Sequence, residues 1–213
     1  MDKRYAIFDM DGTLIDSMVY WQRLAPEYLA AQGVTEDVFP VLRRIRAMTL
    51  LEAAALFREA FALPGTPEQI AAEMDAILEQ HYRADIPLKP GAADYLRRLR
   101  GRGVRLCVAT ATPEALARVC LERLGVADCF DFILSCDTVA AGKDRPDVFL
   151  ACARAFGAAP EAVAVFEDAH YAARTAKRAG FYVVGVYDDN GAAHWDEMRR
   201  VCDEVIQGWD DLR

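Results

Sequence analysis

The chain has 213 residues, a formal net charge of -8 and a pI near 5.0; its Lys and Arg are scattered, so it is a poor match for nucleic acid or an anionic membrane surface. At 54% hydrophobic residues it can bury a core large enough for one domain carrying a smaller one. No uncharged stretch reaches the roughly 18 residues of a membrane span and the N-terminus lacks a signal peptide's apolar region, so a cytoplasmic monomer is expected, with neither membrane nor nucleic acid as partner.

In chain order, the first predicted element is a short buried strand, Tyr5-Ala6-Ile7-Phe8, which runs into Asp9-Met10-Asp11-Gly12-Thr13-Leu14. Gly12 allows a sharp turn, which Thr13 can bond through its hydroxyl. From Ser17 to about Ile86 there is no strand-like alternation but repeated helical spacing, as in Leu51, Ala54, Ala55, Phe57, Arg58 and Phe61. Thr66-Pro67-Glu68-Gln69 has the pattern of an N-cap with Pro at the first helical position and Gln closing a capping box. Domain boundaries are therefore placed at 1–16 and 87–213 for one unit and 17–86 for an all-helical insertion.

Strands and helices alternate from Leu88 onward. A helix is predicted near Ala92 to Arg100, a strand near Arg105 to Ala109, and a helix opened by Thr112-Pro113-Glu114 with Thr112 as N-cap. A short strand follows near Phe132 to Leu134, then a helix from Pro146 to Phe156, a strand from Val163 to Phe166, a helix from His170 to Ala179 and a strand over Tyr182 to Val186. Val201 to Ile206 is read as a last short strand followed by a turn of helix. The alternation predicts an α/β fold, a Rossmann-like doubly wound parallel sheet with helices on both faces. Six cysteines (Cys107, Cys120, Cys129, Cys136, Cys152, Cys202) form no C-x-x-C pair and read as reduced core residues. His81, His170 and His194 lie far apart without ligand spacing, which argues against zinc.

The Asp9-Met10-Asp11-Gly12 run puts two carboxylates at the carboxyl end of a strand, where open α/β sheets bind ligands. One Asp can attack phosphorus while a second carboxyl protonates the departing oxygen and later activates water. The chain then supplies Thr110 at the end of Val104 to Ala109, Gly142-Lys143-Asp144-Arg145-Pro146-Asp147-Val148-Phe149, and Glu167-Asp168 after Val163 to Phe166. With these four motifs in order, the sequence resembles the haloacid dehalogenase superfamily, closest to its β-phosphoglucomutase-like phosphatase branch. Four ordered matches at strand ends outweigh the structural readings open to each alone: a strand-end hydroxyl, a solvated lysine, an acidic helix start.

The resemblance implies a phosphatase for a small phosphorylated metabolite, a sugar phosphate or related monoester, working through an aspartyl-phosphate with Mg²⁺ as cofactor. Asp9 is then the nucleophile and Asp11 the acid and base. Thr110 and the backbone at Ala111 bind phosphoryl oxygens, and Lys143 neutralises charge. Mg²⁺ takes oxygen ligands and commonly one or two carboxylates, which Asp9 and Asp168 provide; the resemblance adds the carbonyl of Asp11, with Glu167 holding a metal-bound water. The helical insertion corresponds to the family's cap, where substrates are selected. Here the sequence departs from the mutases. Trp21 stands in place of a histidine on the first cap helix, where it can meet substrate or pack the cap core, and Ala47-Met48-Thr49-Leu50 replaces a stretch ending in a phosphate-gripping arginine. Arg43, Arg44 and Arg46 are substitutes or merely a solvated face. Ala169 and Ala172 also depart from the usual Ser and Gly. The alternatives are a sugar phosphomutase, which the lost arginine weakens, and a non-catalytic phosphate-binding protein, which would normally lack a catalytic carboxylate.

Overall fold

The computed structural model describes residues 2–45 and 48–212. It divides into two compact units, Met1–Ser17 with Ile86–Arg213, and Met18–Asp85. The first is an α/β unit built on β1 (Tyr5–Phe8), β2 (Arg105–Thr110), β3 (Phe132–Ser135), β4 (Val163–Glu167), β5 (Tyr182–Val186) and β6 (Glu204–Ile206). All pairs are parallel and the strand order is β3-β2-β1-β4-β5-β6. The order reverses at β1, since β2 and β3 lie to one side and β4 to β6 to the other, which makes the β1/β4 boundary the switch point of the sheet.

The sheet is apolar on both faces because helices cover both. Phe8 pairs with Phe166 in register, and their rings stack with centroids 4.5 Å apart and planes 3° from parallel. Tyr95 of α5 (Ala92–Gly101) and Trp209 close over that pair. The alternate residues Ile7, Cys107, Val165 and Val183 point to the other face. There they meet Phe149 and Phe156 of α8 (Asp147–Phe156) and Ala172, Ala173 and Ala176 of α9 (His170–Arg178). Each fully buried ring contributes roughly 1.5–3 kcal/mol relative to exposure, so this two-sided packing fixes where the strand ends point. Five of the six cysteines are buried and all are free thiols.

Two local expectations fail. The helix after β2 is α6 (Glu114–Arg123), with Pro113 at its N-cap and no side-chain cap bond, because the Thr112 hydroxyl is engaged elsewhere. The last strand begins only at Glu204; Val201 ends a helix, α10 (Trp195–Val201). Trp195, Met198 and Val201 recur at a spacing of three, a helical signal, and the Cys202 N–H extends the helix by bonding the Met198 carbonyl at 3.0 Å. The short helix α7 (Cys136–Val139) joins β3 to the lysine-bearing turn.

The regular secondary structure of the second unit's described residues is all helical: α1 (Met18–Ala31), α2 (Phe39–Arg44), α3 (Leu50–Ala60) and α4 (Pro67–Ala84). Both α3 and α4 start with reciprocal capping boxes, Thr49 with Glu52 and Thr66 with Gln69, each satisfying two otherwise unpaired N–H groups. Leu24, Tyr28, Phe57, Ile70, Met74 and Tyr82 fill the interior between the helices. The buried face of α3 is Ala53, Ala54 and Phe57, so Leu51 and Ala55 of the expected stripe are exposed.

Candidate active site

Three strand ends build the site. β1 delivers Asp9, β2 delivers Thr110 and β4 delivers Glu167 followed by Asp168, and the register aligns Phe8 with both Val108 and Phe166. Asp9 continues the ladder, its N–H bonding the Phe166 carbonyl at 3.0 Å. Gly12, at φ +82°, then reverses the chain: Leu14 N–H returns to the Met10 carbonyl at 2.9 Å. A residue with a Cβ is strained at that φ.

Lys143 reaches the strand ends from a turn ahead of α8, rather than from the helix itself. Its ammonium, buried with the carboxylates, donates to Asp9 Oδ1 and, at 2.7 Å, to Glu167 Oε1. Burial alone would lower the lysine pKa; the charges of Asp9 and Glu167 outweigh it and hold Lys143 above the ordinary value, firmly protonated. Glu167 is pushed up to about 7 by burial, against the pull of Lys143 and with the charge of Asp9. Its other oxygen accepts the Ala169 N–H at 3.1 Å, so both oxygens are bonded within the protein. Asp168 is driven well above the ordinary carboxylate value by burial and by the charges of Asp9 and Glu167.

Asp9, Glu167 and Asp168 each present an oxygen within 4.8 Å of the others, and among the described residues Lys143 is the one cation bonded within the group. Asp9 Oδ2 is buried and has no hydrogen-bond partner among the described residues. An orphaned carboxylate oxygen in a group with excess negative charge is costly on its own and suits a hard divalent cation, whose preferred donors are oxygens.

Thr110 is buried. Its hydroxyl lies 3.4 Å from Asp11 Oδ2 and accepts the Thr112 N–H at 3.0 Å, while Ala111 beside it is exposed. The hydroxyl of Thr112 makes the closer contact with Asp11, donating to Oδ2 at 2.8 Å. This is why Thr112 caps no helix. Thr13 also differs from its expected role: instead of bonding its own turn, its hydroxyl donates to Asp168 Oδ1 at 2.9 Å, and its carbonyl accepts the Trp209 indole N–H at 3.3 Å. Both threonines were legible as hydroxyls next to a motif, but their partners lie on other strand ends.

The family description "haloacid dehalogenase-like hydrolase" matches residues 3–180, a span that contains every one of these strand ends. The chain belongs to that family. Fructose-1-phosphate phosphatase YqaB of Escherichia coli (strain K12) is 31% identical over 196 residues, 87% of this hydrolase and 98% of the relative. Validoxylamine A 7'-phosphate phosphatase of Streptomyces hygroscopicus subsp. limoneus is 31% identical over 209 residues, 95% of each chain. The crystal structure of CbbY from Rhodobacter sphaeroides in complex with phosphate superposes with a TM-score of 0.71 at 25% identity, covering 99% of this hydrolase and 96% of CbbY. Within the family, this hydrolase is a phosphoric monoester hydrolase.

In the helical unit of the hydrolase, Trp21 lies on α1 and is 41% exposed, so it is not part of that unit's core. Its indole N–H donates to the Tyr82 hydroxyl at 3.3 Å. Arg43 and Arg44 are exposed, with the Arg43 guanidinium 5.9 Å from the centre of the Phe39 ring. Arg46 and Ala47 lie outside the described residues. No helix among the described residues is long and apolar enough to cross a membrane.

Proposed function

We propose that the protein is a Mg²⁺-dependent phosphatase that hydrolyses a small phosphorylated metabolite, a sugar phosphate or related monoester, through an aspartyl-phosphate on Asp9. The observation that carries this reading is the state of Asp9: one carboxylate oxygen is held by a charged lysine, the other is buried and without a hydrogen-bond partner among the described residues. Asp9 forms the new O–P bond as the ester O–P bond breaks. Asp11, oriented by Thr112, gives its proton to the leaving oxygen. It then takes one from the water that attacks the phosphoenzyme, releasing phosphate and regenerating Asp9. Lys143, Thr110 and the backbone N–H at Ala111 hold phosphoryl oxygens as charge shifts among them.

Mg²⁺ would be held by Asp9, Asp168 and the carbonyl of Asp11, and supplies the positive charge that lets an anionic ester approach an anionic nucleophile. Glu167 assists from behind, through Lys143 and the Ala169 N–H. The helical unit, Met18–Asp85, acts as the cap, with Trp21 offering an indole face to the non-phosphate part of the substrate. The free thiols suit a reducing compartment, the cytoplasm. The names of the relatives, fructose 1-phosphate and validoxylamine A 7'-phosphate phosphatases among them, favour a phosphorylated carbohydrate.

The test is Asp9→Asn assayed with a panel of phosphate esters with and without Mg²⁺. The amide is nearly isosteric but cannot attack, so turnover on every ester should vanish while the fold persists. Wild-type hydrolysis in that variant would remove the nucleophile assignment, and activity indifferent to Mg²⁺ would remove the metal.

A further inference from the structure

A second group of metal-competent side chains lies on other elements: His170, His194 and Glu197. His170 opens α9, His194 ends the 3-10 helix Asp189–His194, and Glu197 stands in the first turn of α10. The histidines are far apart in sequence, but the fold stacks their imidazoles with centroids 3.8 Å apart and planes 19° from parallel. The expectation of isolated histidines is overturned on that geometry. One ligand atom from each of the three residues lies within 4.8 Å of the other two.

We propose that His170, His194 and Glu197 form a binding site for a divalent transition metal of the zinc class, separate from the carboxylate site at Asp9. Two imidazoles and one carboxylate are donors that zinc, nickel and copper favour over magnesium. A tetrahedral ion with bonds of about 2.0–2.1 Å holds its ligand atoms about 3.3 Å apart and lies in the plane of each imidazole, so closure takes a rotation of the His194 ring out of its stack on His170. His194 is exposed and free to make it.

The surroundings are built to hold the rest still. Arg174 donates to Glu197 Oε1 at 2.8 Å, the kind of outer hydrogen bond that orients a ligating carboxylate. The Asp188 carboxylate accepts the Asn190 N–H at 2.9 Å and Lys89 pairs with Asp188 at 2.8 Å, which pins the start of the 3-10 helix. The guanidinium of Arg174 works against a hard cation held by charge alone, leaving lone-pair donation from imidazole as the binding force. A metal here would clamp α10 to the helix start that directly follows Asp168 and Ala169.

The experiment uses the full chain saturated with Mg²⁺, titrated with Zn²⁺ against a chromophoric chelator while melting is followed. Wild type should bind a Zn²⁺ equivalent and gain melting temperature. His194→Ala should bind it at least about 10-fold more weakly and lose that gain, with its melting in Mg²⁺ alone unchanged. Equal zinc affinity in His194→Ala overturns the proposal. Should the variant melt early in Mg²⁺ alone, zinc-soaked wild-type crystals measured at the zinc edge decide. An anomalous peak between His170 and His194 supports the site, and zinc found only at Asp9 and Asp168 overturns it.

Discussion

The two compact units handle polarity in opposite ways. Among the described residues, every buried polar or charged side chain, tyrosines aside, belongs to the sheet unit, including Asp9, Lys143, Glu167, Thr110 and Thr112. The large hydrophobics left exposed are Val19, Trp21, Phe39, Met48, Leu51 and Tyr171, and all but Tyr171 lie in the helical unit. Burying a charge is tolerated only with a partner, so the sheet unit's buried groups are fixed by one another. The exposed apolar side chains of the helical unit have no such fixing. Fixed buried charge and exposed apolar surface are thus divided between units, and each prediction below would break or sharpen that division.

The largest effect is expected at Lys143. Lys143→Met keeps the unbranched apolar stem without the terminal ammonium and leaves Asp9 and Glu167 as buried carboxylates without their shared cation. Breaking a buried pair in this way costs about 3–5 kcal/mol, or roughly 10 °C of melting temperature for a chain of this size, and turnover should be lost with it. Added Mg²⁺ should restore part of the melting temperature, because a cation offsets the same carboxylates. A thermal scan that superimposes on wild type would mean that the buried charges of the sheet unit do not depend on one another.

Next is Thr112, the residue that holds Asp11. A general acid contributes about 10²- to 10⁴-fold, and loosening its carboxyl should forfeit a part of that, on the order of 10-fold. Thr112→Val should therefore lower kcat on alkyl phosphates while sparing nitrophenyl phosphate, whose leaving group hardly needs a proton. Equal losses on both esters would detach Thr112 from proton transfer.

Thr112 also shows where sequence reading stops. The strand ends were legible because each motif follows a short apolar run, and Gly12 marks the turn that presents Asp9 and Asp11. Thr112-Pro113-Glu114 carries a complete local signal for a helix cap, and only the β1–β2 pairing, a tertiary fact, shows that the hydroxyl has a better acceptor in Asp11. Glu167 is similar: its place at the end of β4 was readable and its bond from the Ala169 N–H is local, whereas its bond from Lys143 depends on the lysine turn folding back over the sheet. In the helical unit the capping boxes announce α3 and α4, but the face each buries depends on its neighbours, and so Leu51 is exposed. The meeting of His170 with His194 left no trace in spacing, because α9 and α10 are brought together by packing on β5.

A smaller effect is expected at Trp21. As a recognition residue, Trp21→Ala should raise KM several-fold for the best carbohydrate ester and leave acetyl phosphate hydrolysis little changed. Since the indole is already 41% exposed, the melting temperature should hardly move. A uniform loss on both substrates together with a lower melting temperature would make Trp21 a packing residue and erase the contrast with the sheet unit.

Two surface ion-pair clusters, one in each unit, respond to pH with opposite sign. In the helical unit, His81 bonds Asp85 at 2.8 Å and Glu27 at 3.0 Å; burial alone would lower its pKa, but these two carboxylates outweigh it and raise it above 6.5. A raised folded-state value means the protonated histidine stabilises the fold fully below the unfolded pKa, and that this contribution is lost as pH rises through the folded one. In the sheet unit, burial would raise the Asp131 pKa, but Arg105 and Arg100 outweigh it and hold it below 3.8. Its contribution is present above that value and is lost as pH falls through the depressed folded one. The carboxylates facing His81 are about half exposed, so solvent limits the gain to about 0.5–1 kcal/mol. His81→Gln should accordingly cost that much in denaturant unfolding near pH 6 and less at pH 9, with the amides of α4 losing protection relative to wild type at the lower pH only. Asp131→Asn should instead cost stability at neutral pH and converge on wild type in acid. A His81→Gln penalty that grew toward pH 9 would show that the neutral ring, rather than its ion pairs, supports the helices.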